Sequence, residues 1–373
     1  MLKRGNALAA LPRDPYTALL LTSFPAVRYY AGKEAAEGSA LLAWSGGCIL
    51  LPSFSSEKKS GFAQIRRAIP KTVSSLEAEP SALTAADWTA LQDALPIVSP
   101  SEDLERRVYL QRCHKDPEEI QKIRQAQQIT ERAFTACLND IRPGMTDREL
   151  QKRISDHLWA EGSEMTSFNH VLGCGPDTVN PHVRPTGRRI ARGDLIMMDI
   201  GAQVEGYGSD MTRMIAVDEP GEEERRIYEL VLAAQTAGIA AVQAGIACAA
   251  VDRAARTIIE QAGYGSFFTH GLGHPVGSGG WEGPRFTPGD DTPLPTDIVM
   301  TVEPGIYLPG QFGIRIEDMI LVRKDGIENL TTLGRASSER PHQILRGLRF
   351  LESPDNRVKL SLQTVVDQFL VPS

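Results

Sequence analysis

Four acidic residues in the C-terminal half of the chain lie in or beside apolar, strand-like runs. Asp199, Glu303 and Glu317 sit inside such runs, and Asp210 opens one. An unpaired carboxylate is costly to bury, so four of them predict a positive charge at the same place. The alternative is a set of solvated acids on strand edges, which the flanking Ile, Met and Val residues disfavour. We therefore expect a site for divalent cations.

The spacing of these acids predicts two hairpins. The midpoint of the first pair falls at residues 204–205, beside Gly206, and that of the second pair at Gly310. Residues equidistant from a hairpin turn face each other, so each hairpin should hold two carboxylates side by side. Opposed like charges need a cation between them. Oxygen ligands suit Mg or Mn, and one imidazole widens the choice to Zn, Fe or Co.

A glycine-rich segment between the two hairpins supplies the imidazole. His274, framed by a glycine and a proline, is the best nitrogen ligand, since glycines let backbone approach a site closely. His270 and His182 are candidate proton carriers or substrate contacts. His170 is ambiguous, because it could simply begin a strand. The other histidines are expected to be structural: His114, His157 and His342.

Length and composition describe an ordinary globular protein. The 373 residues are too many for one core and predict two domains. The net charge is −7, which gives no reason to expect nucleic acid or an anionic membrane as a partner. We find no secretory signal and no run of about 18 apolar residues that could span a membrane. Five scattered cysteines predict reduced thiols and a cytoplasmic protein.

Local patterns divide the chain into three parts. Residues 1–112 combine strand-like runs between 17 and 52 with a helix over 82–95 that Thr84 caps, and they predict a small α/β domain. Residues 113–335 form the catalytic region with its acidic hairpins. Residues 336–373 form a C-terminal extension whose pattern is too weak to assign.

A pair of helices occurs twice in the catalytic region. Asp116 caps a helix over 117–140, and Thr146 caps the next helix, with Glu149 completing a capping box. The second helix recurs at a constant offset, so that 144–162 matches 245–263. Each pair precedes an acidic hairpin. The pattern indicates a duplicated helix–helix–hairpin unit that brings both hairpins to a shared axis.

These residues resemble the pita-bread-fold metallopeptidases, which include methionine aminopeptidase, aminopeptidase P and prolidase. The match covers roughly residues 115–330. The metal ligands of that family run Asp, Asp, His, Glu, Glu, and they correspond in order to Asp199, Asp210, His274, Glu303 and Glu317.

Features outside the ligands favour the proline-specific branch of this family. The run Arg28-Tyr29-Tyr30 is similar to the creatinase/prolidase N-terminal domain, and Arg315 is typical of the branch. The resemblance implies an α+β protein: a pita-bread catalytic domain with a smaller α/β N-terminal domain. It also implies a homodimer.

The resemblance implies a dinuclear-metal peptidase that hydrolyses the Xaa-Pro bond at the N-terminus of short peptides or in dipeptides. Asp210 and Glu317 would bridge two divalent ions, with Mn expected first and Co, Zn or Fe as alternatives. Asp199 would complete one ion, and His274 with Glu303 the other. Such ions acidify a water and polarise the scissile carbonyl.

Further residues receive roles from the same resemblance. Glu303 would accept the proton of the attacking water, and His182 or His270 would assist the leaving nitrogen or hold the oxyanion. Arg315 would orient metal-binding carboxylates; the alternative is a plain ion pair between strands. Tyr207 would lie near the substrate.

One position departs from the family pattern. Trp281 stands where relatives have a histidine, and it could form an apolar wall against a proline ring. The departure leaves open a metallohydrolase or lyase that acts on another small substrate. A catalytically silent binding protein also stays open. Metal content together with cleavage of short proline-containing peptides would separate the three.

Overall fold

The computed structural model describes residues 4, 7–8, 10–12, 14–32, 35–51, 59–279, 283–334 and 348–349. The helices of these residues are α1 Phe24–Ala31, α2 Lys59–Ala68, α3 Ala85–Ala94, α4 Glu102–Cys113, α5 Pro117–Cys137, α6 Asp147–Ala160, α7 Glu222–Ala241 and α8 Cys248–Gln261. The strands are β1 Thr17–Leu21, β2 Ala40–Trp44, β3 Gly47–Leu51, β4 Ser75–Ala78, β5 Val98–Pro100, β6 Val171–Cys174, β7 Leu195–Ile200, β8 Gln203–Val204, β9 Tyr207–Gly208, β10 Met211–Val217, β11 Val299–Val302, β12 Gly305–Leu308, β13 Phe312–Arg315, β14 Asp318–Arg323, β15 Gly326–Asn329 and β16 Leu348–Arg349. Apart from β16, the predicted C-terminal extension over 336–373 lies outside the described residues. None of the helices described is long and apolar enough to cross a membrane.

A five-stranded sheet organises the N-terminal part, in the order β3-β2-β1-β4-β5. Strand β1 pairs antiparallel with β2 and parallel with β4. Leu19 and Leu21 of β1 pack in one apolar cluster, and Ala18 and Leu20 pack in another. This alternation is that of a strand buried on both faces. The strands predicted between 17 and 52 are confirmed, whereas α1, α2 and the parallel strands β4 and β5 were not predicted.

The predicted helix starts are confirmed. Thr84, Asp116 and Thr146 cap α3, α5 and α6, each with the reciprocal hydrogen bonds of a capping box. Helix α5 ends at Cys137 and not at 140 as predicted. Its chain tightens there, because the backbone N–H of Asp140 donates to Cys137 O over 2.9 Å, three residues back.

The two helix pairs agree in detail. The first residues of α6 and α8 are separated by the same number of positions as their last residues, as the repeat predicts. A glycine before each helix donates to a later backbone carbonyl: Gly144 to Ile190 over 2.7 Å, and Gly245 to Leu294 over 2.8 Å. Helices α5 and α6 pack against β7 and β10, and helices α7 and α8 pack against the strands of the second hairpin. The cluster of α7 and α8 also includes Leu195, Met197, Met214 and Ala216 of the first hairpin, so it joins the two hairpins.

The register of the second hairpin follows the prediction. Val302 lies opposite Asp318 in the β11–β14 pair, and Gly305 lies opposite Arg315 in the β12–β13 pair. Both ladders share one register around the turn at Gly310. Glu303 and Glu317 therefore occupy facing positions between the two ladders.

The predicted register of the first hairpin is wrong. Asp199 lies opposite Thr212 and not opposite Asp210. Glu205 and Gly206 form the turn, with positive φ values of 46° and 85°, which is the geometry of a two-residue type I′ turn. The turn thus lies one residue later than the predicted midpoint. Asp210 lies two positions nearer the turn than the partner of Asp199, so the two carboxyl groups meet diagonally.

Candidate metal centre

All five predicted metal ligands line one cavity of about 410 Å³. Asp199 is on β7, and Asp210 comes directly before β10. Glu303 follows β11, and Glu317 precedes β14. His274 comes from the glycine-rich loop between the hairpins. Both hairpins and this loop therefore converge on one site.

The distances between these side chains are short. His274 Nε2 lies 3.6 Å from Asp210 Oδ2 and 3.3 Å from Glu303 Oε1. Asp210, His274 and Glu317 each offer one ligand atom, and these three atoms lie within 4.8 Å of one another. The group is compact enough to share bound cations.

Buried carboxylate oxygens carry the strongest signal of the site. Asp199 and Asp210 are each 8% exposed, and Glu317 is 1% exposed. Asp199 Oδ1, Asp210 Oδ1 and Glu317 Oε1 are buried without a hydrogen-bond partner among the described residues. Burial raises the pKa of all three carboxyl groups, and neighbouring carboxylates raise these pKa values further. A divalent cation would supply both the missing partner and the missing charge, so the residues fit such an ion.

Arg315 connects the two hairpins across the site. Its Nη2 donates to Asp199 Oδ2 over 2.5 Å, and its Nε donates to Thr212 Oγ1 over 3.1 Å. Its Nη1 donates to Tyr307 Oη over 2.9 Å. Thr212 in turn donates to Glu317 Oε2 over 2.7 Å. Arg315 therefore hydrogen-bonds to Asp199 directly and reaches Glu317 through Thr212, and its Nε lies 3.9 Å from Glu303 Oε2, which is more than a plain ion pair.

His270 lies at the end of the same hydrogen-bonded chain. Its Nδ1 is 2.8 Å from Gly271 O, and its Nε2 is 2.8 Å from Tyr307 Oη. A carbonyl oxygen can only accept, so we assign the proton to Nδ1. Because Tyr307 accepts from Arg315, its hydroxyl hydrogen points at His270 Nε2. Burial lowers the pKa of His270, which favours the neutral ring.

Thr301 ties the glycine-rich loop to β11. Its Oγ1 accepts from the backbone N–H of His274 over 2.9 Å and donates to Glu303 Oε1 over 2.9 Å. A Cβ atom on Gly273 would lie 2.0 Å from Thr301 O, so only glycine fits there. The loop can therefore lie flat on the strand and present His274 beside Glu303.

Sequence reasoning missed three polar residues of this site. Thr212 follows Asp210 by two residues, and Thr301 precedes Glu303 by two. Alternate residues of a strand share a face, so the spacing already contained this signal. Tyr307 gave no comparable signal, because its contacts with His270 and Arg315 depend on the folded chain.

The remaining predicted site residues fall in different places. His182 is exposed and lines the cavity. Tyr207 is a correction: it does not line this cavity, and it is buried with its hydroxyl donating to Glu119 Oε1 over 2.9 Å. Its aromatic body packs in an apolar cluster that includes Val276. Trp281 lies outside the described residues.

The other histidines of the described residues do not line the cavity. His170 is buried and comes directly before β6, in agreement with the simpler of its two interpretations. His157 Nε2 lies 2.7 Å from Asp140 Oδ2. His114 is exposed. His342 lies outside the described residues.

Solved structures of other proteins share this architecture. The X-Pro aminopeptidase of Thermotoga maritima superposes with a TM-score of 0.78 at 30% identity, over 86% of this chain and 97% of that chain. The prolidase of Pyrococcus horikoshii superposes with a TM-score of 0.78 at 31% identity, over 86% of this chain and 95% of that chain. These similarities confirm the pita-bread fold predicted from the sequence.

Sequence comparisons agree with the structural ones. The Xaa-Pro dipeptidase of Pyrococcus furiosus is 39% identical over 224 residues, which are 60% of this chain and 64% of that protein. The Xaa-Pro dipeptidase of Lactobacillus helveticus is 36% identical over 250 residues, which are 67% of this chain and 68% of that protein. The match thus spans less than two thirds of the Pyrococcus furiosus protein. The model of metallopeptidase family M24 matches residues 121–324, and the chain therefore belongs to that family.

Proposed function

We propose that this protein hydrolyses the Xaa-Pro bond of dipeptides and short peptides with two divalent metal ions. The observation that carries the proposal is the convergence of five ligand side chains in one cavity, three of them with a buried, unpartnered carboxylate oxygen. The names of the relatives support the proline-specific substrate, since two are Xaa-Pro dipeptidases and one is a prolidase.

Membership of a metallopeptidase family implies divalent metal ions at this site. Asp199, Asp210, His274, Glu303 and Glu317 would hold these ions, with Asp210 and Glu317 as the ligands that both ions would share. Manganese is the ion that we propose first, because four of the five ligands are hard carboxylates.

The ions, when bound, acidify a water and polarise the scissile carbonyl. Glu303 is the proposed acceptor of the proton of that water. Its Oε1 is held by Thr301 and lies 3.3 Å from His274 Nε2, so the carboxylate is fixed at the edge of the ligand group. Its side chain is 15% exposed, which leaves it accessible from the cavity.

Proton delivery to the leaving nitrogen falls to His182 in this scheme. A bond to proline has no N–H, so its nitrogen must gain a proton before it leaves. His270 is held neutral with its proton on Nδ1, directed at Gly271 O and away from Tyr307. His182 is exposed on the cavity wall, where its imidazole is accessible to water and to a bound peptide. His270 then serves to hold Tyr307 and, through it, Arg315.

The cavity wall suits a short peptide that contains proline. Phe168, Val171 and Val276 provide apolar surface on which a pyrrolidine ring can pack. Arg285 lines the same cavity and is exposed. A guanidinium there can bind the C-terminal carboxylate that the proline of a dipeptide carries. The proline of a longer peptide has no such charge.

The test is reconstitution of the metal-free protein with Mn, Co or Zn, followed by assays on Ala-Pro, Ala-Pro-Gly and Ala-Ala. We expect cleavage of at least one of the two proline peptides and none of Ala-Ala. Glu303→Gln should abolish cleavage, whereas Glu222→Gln, at an exposed position on α7, should leave it unchanged. Metal binding without cleavage of either proline peptide would refute the proposal.

Arg285→Gln separates a dipeptidase from an aminopeptidase. If Arg285 binds the C-terminal carboxylate, this variant should raise KM for Ala-Pro by about tenfold or more, the worth of one charge-assisted hydrogen bond, and should change KM for Ala-Pro-Gly less. Equal effects on both peptides would mean that Arg285 does not bind the C-terminal carboxylate of a dipeptide.

We also propose the predicted domain boundaries, a homodimer and a cytoplasmic location. The boundary between 112 and 113 is supported by α4, whose Leu104 and Val108 pack in the N-terminal core while Cys113 packs in the core of the second half. None of the five cysteines, all of which the structure describes, forms a disulfide, as a reducing compartment allows. Light scattering of the purified chain tests the dimer.

A further inference from the structure

Asp252 and Arg256 lie one turn apart on α8 and face the loop that carries His270. Arg256 Nε and Nη2 donate to the two carboxylate oxygens of Asp252 over 2.7 and 3.0 Å. The guanidinium also donates to Phe268 O over 3.0 Å and to His270 O over 2.7 Å. Asp252 Oδ1 accepts from the backbone N–H of Leu272 over 3.0 Å. We call Asp252 and Arg256 the α8 clamp.

The loop over 268–272 needs such partners. It belongs to no helix and to no strand, so its backbone groups lack a regular ladder. The α8 clamp binds Phe268 O, His270 O and Leu272 N, which is every second residue of this segment. The carbon of the guanidinium also lies 4.0 Å from the centre of the Phe268 ring. The clamp therefore fixes the loop at three successive points.

Two of these points lead to the metal centre. His270 receives the hydroxyl of Tyr307 on its Nε2, and its backbone carbonyl is held by Arg256. Leu272 O accepts from the backbone N–H of Glu303 over 2.8 Å, while Leu272 N donates to Asp252. Leu272 therefore links the two residues: its N–H binds the buried carboxylate of Asp252, and its carbonyl binds the backbone N–H of Glu303.

We propose that Asp252 and Arg256 are positioning residues for the metal centre: they fix the 268–272 loop and thereby the placement of His270, His274 and Glu303. The inference rests on the proposed metallopeptidase function, and neither residue contacts the five metal ligands. A helical pair at this spacing is ordinarily worth little when it is exposed. Here the side chain of Asp252 is 2% exposed and that of Arg256 is 16% exposed. The guanidinium of Arg256 also donates to backbone carbonyls of the loop as well as to Asp252.

The repeat supplies a matched control. Helix α6 carries Lys152 and Asp156, which also form an ion pair one turn apart, at 2.7 Å. Their side chains are 75% and 47% exposed, and they hold no loop that leads to the site. Asp156→Asn therefore removes a helical ion pair of the same spacing without touching the metal centre.

The experiment compares Asp252→Asn, Arg256→Lys, the double variant and Asp156→Asn with the unchanged full-length chain. Mn²⁺ affinity of the metal-free proteins is measured by isothermal titration, and kcat and KM are measured on Ala-Pro. Because groups that orient metal ligands typically contribute 10- to 100-fold, we expect each α8 variant to weaken Mn²⁺ binding and to lower kcat by about tenfold. KM should change by less than about threefold, since neither residue lines the cavity.

The double variant tests whether the two residues act as one unit. We expect its loss of Mn²⁺ affinity to be close to that of the stronger single variant and well below the product of the two. Asp156→Asn should bind Mn²⁺ as the unchanged chain does. If Asp252→Asn does not fold, Arg256→Lys, which keeps the charge, gives the same comparison.

A lower melting temperature with unchanged Mn²⁺ affinity and unchanged kcat would overturn the proposal, because it would show a role in folding alone. Failure of the proposed function looks different. The unchanged chain would then bind Mn²⁺ without cleaving Xaa-Pro peptides, and the affinity comparison would still decide the role of the α8 clamp.

Discussion

Arg315 and Asp199 are joined by a 2.5 Å hydrogen bond although 116 positions separate them in the chain. Their side chains are 3% and 11% exposed, so the bond is shielded from solvent. Asp199 belongs to the first hairpin and Arg315 to the second. The bond therefore connects the two copies of the repeated unit at the metal centre. Thr212 of the first hairpin makes a second connection, because it is hydrogen-bonded to both Arg315 and Glu317 of the second hairpin.

Arg315→Lys should lower kcat/KM by 10- to 100-fold, the usual effect of removing a group that orients a metal ligand. Lysine keeps the charge, but it cannot donate to Asp199, Thr212 and Tyr307 at once. Steady-state kinetics on Ala-Pro, together with a Mn²⁺ titration, measure the effect. Arg323→Lys, at an exposed ion pair on β14, serves as the control. Full activity of Arg315→Lys would show that Arg315 is only a structural ion pair.

Thr301→Val should weaken the coupling between the glycine-rich loop and β11. Valine has nearly the shape of threonine, but it leaves the His274 N–H and Glu303 Oε1 without the hydroxyl that they share. We expect a loss of about 1–3 kcal/mol in the free energy of unfolding, and weaker Mn²⁺ binding. Urea denaturation and metal titration measure the two effects. Thr301→Ser keeps the hydroxyl and should stay close to the unchanged protein; equal losses for both variants would mean that the methyl group matters and the hydrogen bonds do not.

The features that could be predicted from the sequence depend on short segments. The capping boxes at Asp116 and Thr146 involve residues three positions apart, so the pattern contains the whole interaction. The facing of Glu303 and Glu317 was correct because the turn at Gly310 lies at the midpoint of its strands. The strand and hairpin patterns proposed the four acids and His274 as a cation site, and the family resemblance then assigned these five residues as one ligand set.

The errors arise where the structure depends on the backbone conformation of one residue, or on a contact with a residue that is distant in sequence. Because Glu205 takes a positive φ together with Gly206, the first turn lies one residue later than the midpoint of the two acids. The family resemblance placed Tyr207 near the substrate. In the structure its hydroxyl donates to Glu119, 88 positions away, and Tyr207 does not line the cavity.

Asp318→Asn should destabilise the protein strongly. Asp318 and Arg213 are each 1% exposed, and Arg213 Nη2 donates to Asp318 Oδ1 over 2.8 Å. Removing the charge of one partner leaves a buried guanidinium uncompensated, which costs about 3–5 kcal/mol. Urea denaturation should show this loss. Asp297→Asn breaks an exposed pair with Arg323 and should cost less than about 1 kcal/mol; similar losses in the two variants would contradict the expectation.

His170 should make the stability of the protein depend on pH below neutrality. Burial, together with the nearby charge of Arg184, lowers the pKa of His170 to about 4, against about 6.5 in an unfolded chain. Between these values the unfolded chain binds more protons than the folded one, so the free energy of unfolding falls as the pH falls. The contribution of His170 is complete above pH of about 6.5, and about 3 kcal/mol is lost by pH of about 4.

The prediction is checked by urea denaturation of the metal-free protein between pH 4 and pH 7, for the unchanged chain and for His170→Asn. The variant should lose stability less steeply over this range, because asparagine does not titrate. The buried carboxylates of the metal centre titrate in both proteins, so their effect cancels in the comparison. His114→Asn, at an exposed position, should keep the steeper dependence. Parallel curves for the unchanged chain and His170→Asn would mean that His170 takes up its proton in the folded protein as readily as in the unfolded one, and that its burial does not oppose the charge.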